Sequence, residues 1–312
     1  MYRVQAPAKI NVSLRILAQE ASGYHQLETV FAAVDLTDDL SLEPIPSEGG
    51  IELEVLGADL GDPRRNLVYQ AAEIFLLRAG IDVGVRIRLE KRIPHGAGLG
   101  GGSSDAAATL RLLQAAFGDP LGDDDLLEIA GGLGADVSWF LSPIPLVAAW
   151  GRGDRILPLG TPAELPVVLA LPPFAVETAW AYRSLAEARS RSRRGWLGPR
   201  VIVPPEDGWA EWLAGEGAGG NDFEDLVFEA HPVLGEVRRQ MQDLGAAPAR
   251  LSGSGSALFG VFATEQGAED ARRALSVLHS EIRFLTTRLL SAFPPVLAGD
   301  RAAATEVSDP VS

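Results

Sequence analysis

"PHGAGLGGGSSDAA", residues 94–107, decides how the rest of the chain is read. Five of the seven positions from 96 to 102 are glycine, and two serines, an aspartate and an alanine-rich segment follow. Glycine loses more conformational freedom on folding than any other residue, so a run this dense implies a use for bare backbone. With no side chains in the way, amide N–H groups can close on an anion, and the N-terminus of a following helix adds partial positive charge. The pattern predicts a helix over 104–116, with Ser103 or Ser104 to cap it. A phosphate is the expected occupant; the plainer alternative is a tight connection that holds nothing.

Two commoner phosphate loops fit the sequence less well. Gly96-Ala-Gly98-Leu-Gly-Gly101 satisfies the dinucleotide-binding fingerprint as written. The preceding segment, however, alternates Val83, Val85, Ile87 and Leu89 with Arg86, Arg88 and Glu90. That is a strand with one buried face, whereas strands of a dinucleotide-binding sheet are covered on both and read as continuous apolar runs. A Walker A loop needs Gly-Lys-Ser/Thr, which does not follow here.

Working outward, 2–18 reads as a strand, 27–43 as a further strand pair and 50–57 as another strand. An amphipathic helix spans 66–80 and stops at Gly80. Helices are expected at 123–131 and from "GADVSWFL", then a hairpin over 146–157 and a linker over 158–166. The second half shows a strand "PVVLALP", a helix from about Thr178 and an Arg/Ser-rich solvated loop at 188–200. A helix at 231–244, a strand "ARLSGSGSALFGVF", a helix at 265–278 and a strand "IRFLTTRLL" complete it. This order indicates an α+β fold in two domains, 1–157 and 158–295, with a disordered tail over 296–312.

Composition narrows the partners. The hydrophobic share of 46 % and charged share of 22 % are those of a globular protein. No apolar run is long enough to span a membrane, and the start lacks the apolar block of a signal peptide. There is no cysteine, which leaves no disulfide or thiolate chemistry and makes the cytoplasm the default location. A formal charge of −15 speaks against nucleic acid or an anionic membrane as partner. Any anionic ligand must be held by local groups. Of the 27 basic residues only Lys9 and Lys91 are lysines, which singles out Lys9 as a position needing a compact ammonium.

The glycine segment resembles the central motif of the GHMP small-molecule kinases. "PAKINVSLRI" (7–16) and "LSGSGSALFGVF" (251–262) resemble the superfamily's other two motifs, in the same order, so the similarity runs over nearly the whole chain. "GYHQLETVFAAVDLTDDL" (23–40) and "NDFE" (221–224) further resemble the branch that phosphorylates a cytidine-diphosphate alcohol, 4-diphosphocytidyl-2-C-methyl-D-erythritol. The resemblance implies a ribosomal-protein-S5-domain-2-like N-terminal domain, a ferredoxin-like C-terminal α/β sandwich, and transfer of the ATP γ-phosphoryl group to the substrate's 2-hydroxyl in the non-mevalonate isoprenoid route. A homoserine-type kinase, a silent nucleotide-binding regulator on the same scaffold and a nicotinamide oxidoreductase are the competing readings.

It also implies roles for single residues. Asp136 is the expected base for the leaving hydroxyl proton, and Lys9 the ammonium beside it. Pro94, His95, Gly96, Ala97, Gly98, Leu99, Gly100, Gly101, Gly102, Ser103 and Ser104 are expected to hold ATP. Asn66 is expected near the adenine and Ser104 on a magnesium ion. Asn11, Tyr24, His25, Thr178 and Tyr182 are expected, with Asp136, to meet the cytidyl substrate. Tyr24 and His25 would receive the pyrimidine, with Tyr182 as a second aromatic wall. Asn66 and Asp136 have helix capping as an alternative role. ATP and Mg2+ are the expected cofactors, and a monomer or homodimer the expected assembly.

Overall fold

The computed structural model describes residues 1–20, 23, 25–191 and 219–299. Two sheets organise it. The larger contains β1 (Tyr2–Gln19), β2 (His25–Ile45), β3 (Ile51–Leu56), β4 (Gly84–Glu90), β5 (Leu146–Gly151), β6 (Arg155–Pro158) and β11 (Leu297–Ala298). Its main path runs β11-β1-β2-β4-β3, with β5 and β6 added beside β2. The smaller sheet has the order β10-β7-β9-β8, from β7 (Pro166–Leu171), β8 (Ala249–Leu251), β9 (Leu258–Val261) and β10 (Arg283–Arg288).

Helices α1 (Leu67–Ala79), α2 (Gly101–Phe117), α3 (Asp123–Leu133) and α4 (Ala135–Leu141) belong to the first half. The second half has α5 (Thr178–Arg191), α6 (Glu224–Ala230), α7 (Pro232–Asp243) and α8 (Glu265–Leu278). This is the α+β architecture that the alternation of patterns indicated.

β1 threads through everything. Its even-numbered side chains from Val4 to Ile16 are buried, and they enter three different cores in turn. Val4 and Ala6 pack with α1, α2 and α4; Ala8, Ile10 and Val12 pack between the two sheets; Leu14 and Ile16 join the core of the second half. Register shifts at Pro7/Ala8, Asn11/Ser13 and Ile16/Gln19 let one strand bend past all three. The odd-numbered Lys9 and Asn11, also buried, project to the opposite face.

Several expectations need correction. Residues 27–43 are not a strand pair: β2 runs unbroken, pairing with β1 along its length while β5 and then β4 occupy its other edge. Helix α2 begins at Gly101, three residues early, because left-handed Gly100 turns the chain directly into it; neither Ser103 nor Ser104 caps it. The segment 249–262 is a hairpin, β8 and β9 folded back around "SGSGS". The basic run expected as a loop from 188 is helical through Arg191, and its remainder lies outside the described residues. Within the expected tail, Leu297 and Ala298 pair with the start of β1, which would otherwise present a bare edge. Positions 300–312 also lie outside the described residues.

Candidate active site

The glycine segment forms a turn whose left-handed positions are Gly96, Gly98 and Gly100. Its shape is imposed from behind. A Cβ on Gly98 would lie 2.1 Å from the Ser252 carbonyl oxygen, and one on Gly100 would lie 2.8 Å from Cγ of Lys9. The Ser252 hydroxyl donates to the Gly98 carbonyl at 2.9 Å, and the Ala257 N–H donates to the Ala97 carbonyl at 3.1 Å. The "SGSGS" loop is thus the mould against which the cradle is cast. In front of the cradle lies a cavity of about 440 Å³, lined by Pro94 to Ser103 and by Asn66, Lys91 and Asp105. The first turn of α2 opens into it.

Asn66 caps α1, accepting from the Val68 N–H at 2.9 Å, and also lines the cavity. Ser104 is buried inside α2, and its hydroxyl has no hydrogen-bond partner among the described residues.

Lys9 stands against the other side of the cradle, with its N–H donating to the Leu99 carbonyl at 2.9 Å. Its ammonium donates to Asn11 Oδ1 at 2.5 Å, lies 3.6 Å from Asp136 Oδ2 and sits 5.2 Å from the centre of the Phe31 ring. Burial pushes the Lys9 pKa down from its ordinary value, and Asp136 opposes that shift. Asp136 is the second residue of α4, whose cap is Gly134, so capping is not its role. Its side chain is 27 % exposed, which leaves it open to a ligand while the lysine is sealed. Asn11 Nδ2 donates to Thr29 Oγ1 at 2.8 Å, and its Oδ1 holds Lys9.

At the far end, His25 lies against Tyr182 with ring centres 4.6 Å apart, and Phe223 backs Tyr182 edge-on at 5.0 Å. Burial, with Arg189 adding to it, pushes the His25 pKa down; burial and then the charge of Asp136 push the Tyr182 pKa up. Tyr24 lies outside the described residues. Thr178, at the start of α5, bonds Ser254 of the "SGSGS" loop at 2.9 Å.

A cluster that the sequence did not reveal lies beneath the cradle. The Lys91 ammonium donates to Asp105 Oδ2 at 2.7 Å and also to Asp38 Oδ2. Asp38 Oδ1 in turn accepts the N–H groups of Arg92 and Ile93, at 2.5 and 2.9 Å. Burial pushes the Asp105 pKa up to about 8, with Lys91 opposing. The residues come from β2, the end of β4 and α2, so no local pattern announces them. The one available signal was that Lys91 is the second lysine in a chain of arginines.

Comparison with known proteins agrees with this geometry. The GHMP kinases N terminal domain matches residues 66–142, and the GHMP kinases C terminal domain matches residues 208–278. A homoserine kinase structure from Cytophaga hutchinsonii, 22 % identical, superposes with a TM-score of 0.67 over 95 % of this chain and 96 % of its own, and so shares the fold. Fold and site together define a GHMP-type kinase, a class that uses ATP.

More similar proteins narrow the class. The 4-diphosphocytidyl-2-C-methyl-D-erythritol kinase of Chlorobium luteolum is 40 % identical, covering 87 % of this chain and 91 % of its own. That of Salinibacter ruber is 37 % identical, over 92 % and 97 %. A crystal structure of a 4-(cytidine 5'-diphospho)-2C-methyl-D-erythritol kinase, 37 % identical, superposes with a TM-score of 0.73 over 92 % and 98 %. The chain belongs to the 4-diphosphocytidyl-2-C-methyl-D-erythritol kinase family.

Proposed function

We propose that this chain transfers the γ-phosphoryl group of ATP to the 2-hydroxyl of 4-diphosphocytidyl-2-C-methyl-D-erythritol, giving the 2-phosphate and ADP, a step in non-mevalonate isoprenoid precursor biosynthesis. One observation carries the reading: the glycine cradle, Lys9 and Asp136 adjoin in turn, and the charge of Asp136 bears on Tyr182, whose ring lies against His25. A phosphate donor at one end and a pyrimidine at the other would bring the reacting atoms together at Asp136.

The triphosphate lies in the cradle, its oxygens met by the free N–H groups at the mouth of α2. Asp136 accepts the proton of the attacking hydroxyl, a task for a partly exposed carboxylate within reach of substrate. Lys9 holds Asp136 in its charged form and offsets the charge that gathers on the transferring group. Asn11 and Phe31 fix the direction of its ammonium. Tyr182 offers its ring to the cytosine, and His25, kept neutral, offers one donor and one acceptor to the base edge.

Magnesium fits the donor set. Mg2+ favours phosphate and water oxygens and asks little of the protein, and Ser104, whose buried hydroxyl has no partner among the described residues, sits between Ser103 and Asp105 of the cavity wall. When bound, the ion would neutralise charge on the phosphate oxygens. No helix among the described residues is long and apolar enough to cross a membrane. That fits the cytoplasmic location and small-molecule partner of this reading.

The test is an ADP-release assay run with ATP alone, with the cytidyl alcohol and with homoserine. Release dependent on the cytidyl alcohol is expected. Release driven by homoserine instead, or by neither alcohol, overturns the assignment.

A further inference from the structure

Two sequence features have no part in the phosphoryl transfer: the start of the basic run, at Arg189, and the aspartate of "NDFE", Asp222. The fold brings them together on the edge of β1. Asp222 Oδ2 accepts the Ile16 N–H at 2.7 Å and an Nη2 proton of Arg189 at 2.7 Å. Arg189 Nη1 donates to the Ile16 carbonyl at 2.5 Å. The two side chains thereby satisfy both polar groups of one residue on an edge strand, at the bulge where β1 approaches His25. Residues 220–222 follow the same edge: the Leu14 N–H donates to the Gly220 carbonyl at 2.9 Å, and the Asp222 N–H donates to the Leu14 carbonyl at 3.0 Å.

Both residues are tied to the aromatic end of the site. Arg189 lies seven positions after Tyr182 on α5, two turns along the same face. Asp222 immediately precedes Phe223, which backs the Tyr182 ring. Asn221 holds the "SGSGS" loop, its Nδ2 donating to the Leu251 and Gly253 carbonyls at 2.9 and 2.7 Å.

We propose that Arg189 and Asp222 are positioning residues for the pyrimidine end of the substrate: their joint grip on the Ile16 backbone docks α5 on the last part of β1 and so sets where Tyr182 and His25 stand. This rests on the assignment of that end to the cytosine, made above. The grip needs two N–H vectors fixed in one plane, which a guanidinium has and an ammonium lacks. The side chains are 43 % and 30 % exposed, so the pair adds little to global stability. Its loss should register in the geometry of the site and spare the melting temperature.

The experiment uses full-length Arg189→Met, Arg189→Lys, Asp222→Ala and the Arg189→Met/Asp222→Ala double variant. Each single change is expected to raise KM for the cytidyl alcohol by about tenfold, as a misplaced binding wall does, with KM for ATP and kcat held within about twofold. The double variant should be no worse than the worse single one, because both remove the same grip. Equal rises in both KM values with a fall of several degrees in Tm would mark a merely structural pair and overturn the proposal, as would an unchanged KM or full rescue by lysine.

A substrate-free reading separates this from the functional assignment. The Tyr182 ring current displaces the His25 ring-proton NMR signals, identified through Tyr182→Leu. Arg189→Met should move those signals in the same direction as Tyr182→Leu, and unmoved signals would refute the clamp. Moved signals in an enzyme that never accepts the cytidyl alcohol would uphold the clamp and sink the substrate assignment alone.

Discussion

Replacing the cradle glycines one at a time by alanine should give three different outcomes. Gly98 has φ +79°, and a Cβ there would sit 2.1 Å from the Ser252 carbonyl oxygen, backbone against backbone. The left-handed conformation alone costs an alanine roughly 1–2 kcal/mol. Relieving the clash separates the two loops and breaks the Ser252–Gly98 and Ala257–Ala97 hydrogen bonds. At about 1 kcal/mol for each bond, the total is about 3–4 kcal/mol. For a chain of this size that corresponds to a fall in Tm on the order of 5 °C, accompanied by a large rise in KM for ATP. Gly96→Ala, whose nearest neighbour is the Ala175 Cβ at 3.4 Å, carries the strain without the clash and should lose about 1–2 kcal/mol. Gly102 lies inside α2, with no positive φ and only Leu67 Cδ1 nearby at 3.8 Å. Alanine suits a helix better by about 0.8–1 kcal/mol, so Gly102→Ala should melt no lower than the wild type. Its methyl group would nonetheless stand in the cavity, raising KM for ATP. Thermal melts and ATP kinetics on the three variants check this. Gly98→Ala with unchanged Tm and ATP KM would refute the idea that the cradle is moulded by the "SGSGS" loop.

Other changes probe the remaining parts. Asp136→Asn should lower kcat by about 10²–10⁴-fold while ATP affinity, measured by calorimetry, stays near that of the wild type; near-normal turnover would remove Asp136 as the base. Tyr182→Ala should raise KM for the cytidyl alcohol far more than that for ATP, and equal effects would contradict the pyrimidine assignment. Asp105→Asn tests the buried cluster through pH. The Asp105 carboxyl has a folded pKa of about 8 against an ordinary value of 3.8, so between these limits the folded state holds a proton that the unfolded state has released. Its contribution is fully present at acid pH and lost as pH rises toward 8. The variant, which cannot ionise there, should gain stability relative to wild type over that range in urea melts. A constant difference would show that Asp105 is ionised throughout.

Much of this site was legible because its parts are local. The glycine run, Lys9 and Asn11 two apart on one strand, and Asp136 at a helix start each lie within one short segment. The helices at 66–80 and 265–278 were readable from Asn66, Gly80 and the apolar spacing, which fix ends and faces without help from the rest of the chain. What failed to show was set by distant partners. β2 reads as two strands because its neighbours change halfway along, from β5 to β4. The part of Asn11 in holding Lys9 does not show because nothing nearby reveals that Thr29 and Lys9 meet at its amide. Lys91 reads as an ordinary strand-end lysine until Asp38, 53 positions earlier, is found beside it. Arg189 reads as part of a solvated loop because its partner is 33 positions away.

The path of β1 constrains how such an enzyme can be re-engineered. Leu14 and Ile16, near the start of the chain, are as much a part of the later half's interior as its own residues are. A chimera that joined this N-terminal half to a related kinase's C-terminal half at the 158–165 crossing would mismatch that shared interior. The graft that preserves both would carry the first nineteen positions along with the far half. The lysine at position 9 would then travel with it and meet Asp136, its ion-pair partner, only across the new junction.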